Sequence, residues 1–155
     1  MDDRPDVLTS PVDGRVAAVG RTTSGRIEVA DGRWLTLSTL LDTPVEGERD
    51  VAVLYLSPRD YHRVHVPREG RAHRWSYLPG TLWPVFPAAV RRVDGLFSRN
   101  ERAVVTLDTD HGALEVVLVG AFGVGRITLS VCDLVTNLGG RHPARAEVLA
   151  PPRAP

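Results

Sequence analysis

Short apolar segments rich in valine, leucine and isoleucine recur along this chain and are separated by turns that contain glycine or proline. None of them continues into a long helical periodicity, so the pattern favours strands over helices. Many short strands with frequent turns predict a mainly β, single compact domain that is sandwich- or barrel-like. The predicted strands are 15–19, 26–29, 51–56, 72–78, 103–107, 113–119 and 126–134.

Two further segments, 36–41 and 87–93, predict short helical turns. The composition changes after residue 138, where residues 139–155 contain four prolines and three arginines but few apolar side chains. Such a segment cannot bury enough apolar surface to fix its backbone. We therefore expect a domain over 1–138 and a flexible tail over 139–155.

The charge balance limits the partners of this chain. Its 155 residues carry a formal net charge of zero, which predicts no nucleic-acid partner. All of its basic residues apart from the histidines are arginines, so cofactors that are bound to a lysine are excluded. The sequence begins with polar residues and has no apolar segment long enough to cross a membrane. We expect a cytoplasmic protein whose contact with the inner face of the membrane is peripheral.

The densest group of acid, base and phenol side chains is the segment 55–65, YLSPRDYHRVH. His62 and His65 are its acid–base candidates, because an imidazole titrates near neutral pH. Their spacing of three would place them on opposite faces of a strand and on one face of a helical turn. The alternative is a pair of surface histidines with no chemical role.

Arg59 and Arg63 flank these histidines and are candidates for binding a phosphate or carboxylate through paired hydrogen bonds. Tyr61, which lies between them, is assigned to the same substrate-binding set. The alternative for both arginines is that they are solvated partners of Asp60.

Asp13 lies in Pro11-Val12-Asp13-Gly14, a typical turn sequence in which glycine is expected to take a positive φ. A turn aspartate can also orient a histidine and stabilise its protonated form. A zinc site that combines the two histidines with an aspartate is a weaker alternative, because no clear third ligand exists. We predict no metal.

Two other segments combine polar and apolar features. Residues 100–102, Asn-Glu-Arg, predict a loop with a salt bridge. Residues 83–87, WPVFP, predict an exposed apolar loop, because two prolines keep the segment out of a central strand.

Five segments together resemble the pyruvoyl-dependent phosphatidylserine decarboxylase family, in that family's order and at similar spacings. Apart from YLSPRDYHRVH, they are SPVDGRV (10–16), YLPGTL (77–82), LFSRNERAVV (96–105) and VLVGAFGVGRI (117–127). The last segment has Arg126 where the family usually has serine.

The resemblance implies decarboxylation of phosphatidylserine to phosphatidylethanolamine in phospholipid biosynthesis. The family's pyruvoyl cofactor arises when a proenzyme cuts itself at a Gly-Ser bond, and its carbonyl acts as the electron sink. By position in the motifs, Asp13 and His65 match the residues of self-cleavage. His62 falls where a group could handle protons during decarboxylation.

No Gly-Ser dipeptide occurs in this sequence, and relative to the family we expect the chain to be truncated at both ends. A pyruvoyl group is therefore not expected to form from this chain alone. A separately encoded α-like chain, a truncated gene product and a non-catalytic lipid- or partner-binding relative are three explanations, and a homodimer is a further expectation. A metal hydrolase of the hybrid-barrel type would need a His-x-His pair, which the chain lacks.

Overall fold

A computed structural model describes residue 4 and residues 7–137 and 143–149 of the chain. The described part is mainly β, with three short helices, so the predicted fold class is confirmed. The strands are β1 (Arg15–Arg21), β2 (Arg26–Ala30), β3 (Arg33–Thr36), β4 (Asp50–Tyr55), β5 (Arg71–Leu78), β6 (Arg102–Thr109), β7 (Gly112–Val119) and β8 (Arg145–Val148). The helices are α1 (Leu37–Leu41), α2 (Pro87–Val90) and α3 (Leu96–Arg99).

The strands form two ribbons and one larger sheet, and all of the pairings are antiparallel. β1 pairs with β4, and β2 pairs with β3. The larger sheet has the order β7-β6-β5-β8. Its described strands leave it open, with β7 at one edge and β8 at the other.

Both faces of the larger sheet are covered. Side chains alternate between the two faces of each strand, so each face contributes to a different cluster. One face presents Trp75, Tyr77 and Ala103, and the segment 121–137 packs on it through Ile127, Leu129 and Leu134.

The opposite face of the same sheet packs against the two ribbons. Val117 of β7 contacts a second core cluster that contains Ile27, Leu35 and Leu40, together with Val51 and Val53 of β4. The fold is thus layered, and the two sheet faces belong to two separate cores.

The predicted strand over 126–134 is wrong. Only an isolated bridge joins Thr128 to Val135 there. The apolar side chains that suggested a strand are buried because the segment lies across the sheet, rather than because its backbone pairs in a ladder. Two short elements, β3 and α3, were not among the predicted ones.

The structure also differs from the predicted tail at one place. β8 lies within 139–155 and pairs with the outer edge of β5, from Arg74 to Tyr77. The exposed edge of β5 offers unpaired backbone groups, which a strand of weak intrinsic preference can satisfy. The rest of the predicted tail, at 139–142 and 150–155, lies outside the described residues.

Candidate active site

The candidate segment leaves the β1–β4 ribbon at the end of β4 and begins with a closed turn. The carboxylate of Asp60 accepts a hydrogen bond from the Ser57 amide at 2.7 Å, and the Asp60 amide donates to the Ser57 carbonyl at 2.9 Å. Aspartate commonly closes a turn around proline in this way. After the turn, residues 61–66 are neither helix nor strand, so neither geometry considered for the two histidines is formed.

His62 is half-buried, and its Nδ1 lies 2.6 Å from the carbonyl oxygen of Asp60. A carbonyl can only accept a hydrogen bond, so Nδ1 carries the proton. The Nε2 of the neutral ring is then left with its lone pair. The turn at Asp60 therefore sets His62 in the tautomer that can take up a proton at Nε2.

His65 is exposed and pairs with Tyr61. Its Nε2 lies 3.3 Å from the Tyr61 hydroxyl, and the two rings stack with centroids 5.8 Å apart and planes 13° apart. Because Tyr61 restrains the imidazole in position, the structure gives this tyrosine a contact within the site. Its contact with substrate stays a prediction.

The turn that carries Asp13 lies against both ends of the histidine segment. At one end, the His65 amide donates to the carbonyl of Pro11 at 2.9 Å. At the other end, a Cβ on Gly14 would lie 2.7 Å from the carbonyl oxygen of Tyr55. The φ of Gly14 is not positive, so the expectation of a positive φ is wrong. The close approach to Tyr55 is what requires glycine here.

The Asp13 carboxylate is exposed, and no hydrogen bond among the described residues joins it to His62 or His65. The structure thus brings the backbone of this turn to His65, whereas the expected carboxylate–imidazole contact is not formed.

Arg59 and Arg63 are exposed, and neither forms an ion pair with a described residue. The Asp60 carboxylate accepts from the Ser57 amide instead, so the alternative of an Arg–Asp60 pair is not what the structure has. Two unpaired guanidinium groups beside two imidazoles make this surface suited to an anionic group. In the part of the chain that the structure describes, no group of three or more potential ligands is arranged to hold a metal ion.

A second polar cluster lies inside the fold, around residues 100–102. The Glu101 side chain is buried and accepts hydrogen bonds from the Tyr77 hydroxyl at 3.2 Å, the Thr136 hydroxyl at 3.3 Å and the Asn137 amide. These contacts hold the segment 121–137 on the sheet. The expected salt bridge between Glu101 and Arg102 is wrong, because neighbouring residues at the start of a strand face opposite ways.

Arg102 instead donates to four backbone carbonyls, those of Thr39, Leu40, Ser98 and Asn100, at 2.6–3.1 Å. These carbonyls lie in or beside α1 and α3, so one guanidinium joins two short helices to the sheet. Burial lowers the pKa of Arg102, although nearby Asp42 acts in the opposite direction. Sequence reasoning missed this role because carbonyl partners leave no pattern of charges.

Burial raises the pKa of Tyr77 to about 12, and the neighbouring Glu101 carboxylate adds to the effect by repelling the phenolate and by accepting the phenol's hydrogen bond. The folded protein keeps this proton in a range where the unfolded chain, with an ordinary value of 10.0, loses it. The contribution to stability is therefore fully present below pH 10 and is lost as pH rises towards 12.

Replacing Tyr77 with phenylalanine should flatten this alkaline dependence. The difference in unfolding free energy between the wild type and the variant is expected to shrink by about 2 kcal/mol between pH 10 and pH 12. Denaturant titrations at several pH values measure it. Tyr55→Phe is the matched control, since Tyr55 lies outside the Glu101 cluster, and equal pH dependence of the wild type and Tyr77→Phe would contradict the assignment.

Comparison with known proteins gives one family. The family model for phosphatidylserine decarboxylase matches residues 1–147. A phosphatidylserine decarboxylase proenzyme from Anaeromyxobacter sp. (strain K) is 44% identical over 151 residues, which cover 94% of this chain and 54% of that protein. Proenzymes of the same name from Shewanella putrefaciens and Marinobacter nauticus are 41% and 38% identical, over 92% and 91% of this chain and 51% of each relative. The chain thus spans about half the length of these curated relatives.

Proposed function

This chain belongs to the phosphatidylserine decarboxylase family, and we propose that it supplies the acid–base residues of a decarboxylase that converts phosphatidylserine to phosphatidylethanolamine and carbon dioxide. The family is pyruvoyl-dependent, and that group would supply a carbonyl that acts as the electron sink for the loss of carbon dioxide. The part played by this chain is to bind the anionic head group and to move protons.

The observation that carries the proposal is the fixed tautomer of His62. Its Nδ1 is committed to the Asp60 carbonyl at 2.6 Å, so its Nε2 can accept a proton and afterwards deliver it. Replacing a carboxylate by hydrogen requires delivery of one proton to the α-carbon. A half-buried imidazole of fixed tautomer suits this step, and we assign it to His62.

Self-cleavage is assigned to His65 and Asp13, which match the family's motifs. Support comes from the backbone hydrogen bond that joins the Asp13 turn to His65, and from Tyr61, which holds the imidazole by stacking. Such a pair would serve as a base and its orienting carboxylate once the substrate peptide brings them together.

Arg59 and Arg63 are assigned to the substrate phosphate and carboxylate, together with the Tyr61 hydroxyl. Their exposure and their lack of ion pairs with described residues leave both guanidinium groups available to an anion.

The pyruvoyl group would be supplied by a segment other than these 155 residues, because they contain no Gly-Ser dipeptide. The surface of 59–65 fits the neighbourhood of such a group, since it offers two imidazoles and two cations, while the Asp60 carboxylate is hydrogen-bonded to the Ser57 amide. A separately encoded α-like chain is the partner that we propose, and a homodimer of the assembled pair is a further proposal. In the described part of the chain no helix is long and apolar enough to cross a membrane. We place the protein in the cytoplasm, in peripheral contact with the inner face of the membrane.

The first experiment combines expression beside the neighbouring genes, a carbonyl-trapping reagent and intact-mass measurement. A co-purifying small chain with a trapped N-terminal carbonyl is the expected result. A single chain of unmodified mass that traps no reagent would contradict the catalytic proposal. It would favour the second candidate, a non-catalytic lipid- or partner-binding relative.

Replacing His65 with alanine should prevent self-cleavage of the partner chain. The measurement is the mass of that partner, which is expected to remain at its uncut value. His73→Ala is the matched control, because His73 lies on β5 beside Asp108 and has no assigned role. Normal cleavage in the His65→Ala complex would remove His65 from processing.

A further inference from the structure

Two neighbouring loops expose large apolar side chains together. The aromatic patch consists of Trp83, Phe86, Phe122 and Val124, of which Trp83 is 44% exposed, Phe86 45% and Phe122 77%. The first two lie in the loop before α2, and the last two lie in the turn 121–124 that follows β7. Exposed aromatic residues that cluster in this way mark an interaction surface.

Asn100 holds the two loops side by side. This residue is fully buried, and its side-chain amide donates to the carbonyls of Trp83 at 2.8 Å and Gly120 at 2.9 Å. Its side-chain oxygen accepts from the Trp83 amide at 2.9 Å. Two acceptors on one nitrogen lie within about 6 Å of each other, so Trp83 is adjacent to the strand end that leads to Phe122.

The base of the patch is rigid, because Leu82 lies against Gly120 and Gly125. A Cβ on Gly125 would lie 2.8 Å from the Leu82 side chain. Ala121 and Val124 exchange two backbone hydrogen bonds across the turn, and Gly123 has the positive φ of 82° that the turn requires. The turn therefore presents Phe122 as a fixed, projecting tip.

The unpaired charge near the patch is positive, because the acidic residues that follow its two segments, Asp94 and Asp133, are already paired with arginines. Residues 79–93 and 117–132 contain no aspartate or glutamate, whereas they contain Arg91, Arg92 and Arg126. All three arginines are exposed, and none forms an ion pair with a described residue. A partner that complements this surface must be apolar at its centre and anionic around it.

We propose that the aromatic patch docks this protein on the surface of an anionic phospholipid bilayer. Tryptophan and phenylalanine suit the interface between head groups and acyl chains, and arginine is attracted by anionic lipid. A projecting side chain such as Phe122 would bury little apolar area against a flat protein surface, whereas fluid lipid can surround it. This surface does not depend on the pyruvoyl chemistry, and it would orient the whole chain on the membrane.

The test measures partition of the full 155-residue chain onto sedimenting vesicles. Vesicles of phosphatidylcholine with phosphatidylglycerol supply anionic charge without a primary amine, so binding is separated from decarboxylation. Trp83→Ala and Phe122→Ala are each expected to weaken the partition roughly tenfold. The double change Arg91→Gln with Arg92→Gln should weaken it about fivefold per arginine and reduce its dependence on salt.

The matched control is Trp34→Ala, because Trp34 is 50% exposed but lies on β3, outside both loops. It should leave the partition unchanged. Brominated lipid provides a second measurement, since it should quench emission from a Trp34→Phe chain, which keeps Trp83, and not from a Trp83→Phe chain, which keeps Trp34. The buried Trp75 is present in both chains and contributes the same background.

Three results would overturn the proposal. They are a wild-type chain that stays in solution with anionic vesicles, Trp83 and Phe122 variants that bind as the wild type does, and equal quenching of Trp34 and Trp83. If the wild-type chain does not bind vesicles but self-associates, and Trp83→Ala abolishes that self-association, the patch would instead be an interface between two copies of the chain. A negative result with vesicles would not change the outcome of the carbonyl-trapping experiment, so membrane docking and catalysis are tested separately.

Discussion

Replacing His62 with alanine is expected to lower the rate of decarboxylation in the assembled enzyme by roughly 100- to 10,000-fold, the usual contribution of a positioned acid–base group. The reason is the proton that must reach the α-carbon after carbon dioxide leaves. The Asp60 carbonyl binds Nδ1, so Nε2 is the atom that we propose exchanges this proton. Release of labelled carbon dioxide from carboxyl-labelled phosphatidylserine measures the rate.

The same variant should still carry a trapped carbonyl, because self-cleavage is assigned to His65. This separation distinguishes the two histidines, since His65→Ala should lose the carbonyl itself. His73→Ala serves again as a control that keeps both steps. A His62→Ala enzyme that decarboxylates at the wild-type rate would rule out the proton-transfer role, whatever the fate of the carbonyl.

The largest expected effect on stability follows from replacing Arg102 with methionine. The guanidinium is buried and donates to four backbone carbonyls that belong to or adjoin α1 and α3. Methionine fills a similar space but leaves those acceptors without donors. Breaking such a buried network costs about 3–5 kcal/mol. Urea denaturation measures the loss, and the two helices should detach before the sheet unfolds.

Two further variants make this result specific. Arg99→Met changes an exposed arginine in the last turn of α3 and is expected to alter stability by less than about 0.5 kcal/mol. Arg102→Lys keeps the charge but lacks the planar fork, so it should fall between the wild type and Arg102→Met. Equal stability of Arg102→Met and Arg99→Met would show that the carbonyl network contributes nothing.

The fold class, the family and the candidate segment could all be predicted from the order of the residues. Short apolar segments bounded by turns predicted six of the eight described strands, because strands that pack in a core are rich in valine, leucine and isoleucine. The density of ionisable groups at 55–65 singled out His62 and His65, since a stable core has no need for them. The motifs identified the family, which the match over residues 1–147 bears out.

Contacts between these residues could not be predicted from the sequence, because they depend on how the chain folds. The sequence predicts that Tyr61 contacts substrate, but its stacking on His65 is visible only in the structure, because the two lie four positions apart on an irregular segment whose path no period predicts. Glu101 and Arg102 are neighbours with opposite charge, but the sheet directs one towards Tyr77 and the other towards the carbonyls of α1 and α3.

The segment 126–134 shows the same limit. Its alternating apolar residues are buried as a strand's would be, but its backbone lies across the sheet without pairing along it. Strand β8 shows the converse, because a polar segment pairs where β5 presents a free edge. The positions of apolar residues indicate which side chains are buried. Backbone hydrogen-bond partners depend instead on which strand edges meet, and these meet only when the chain has folded.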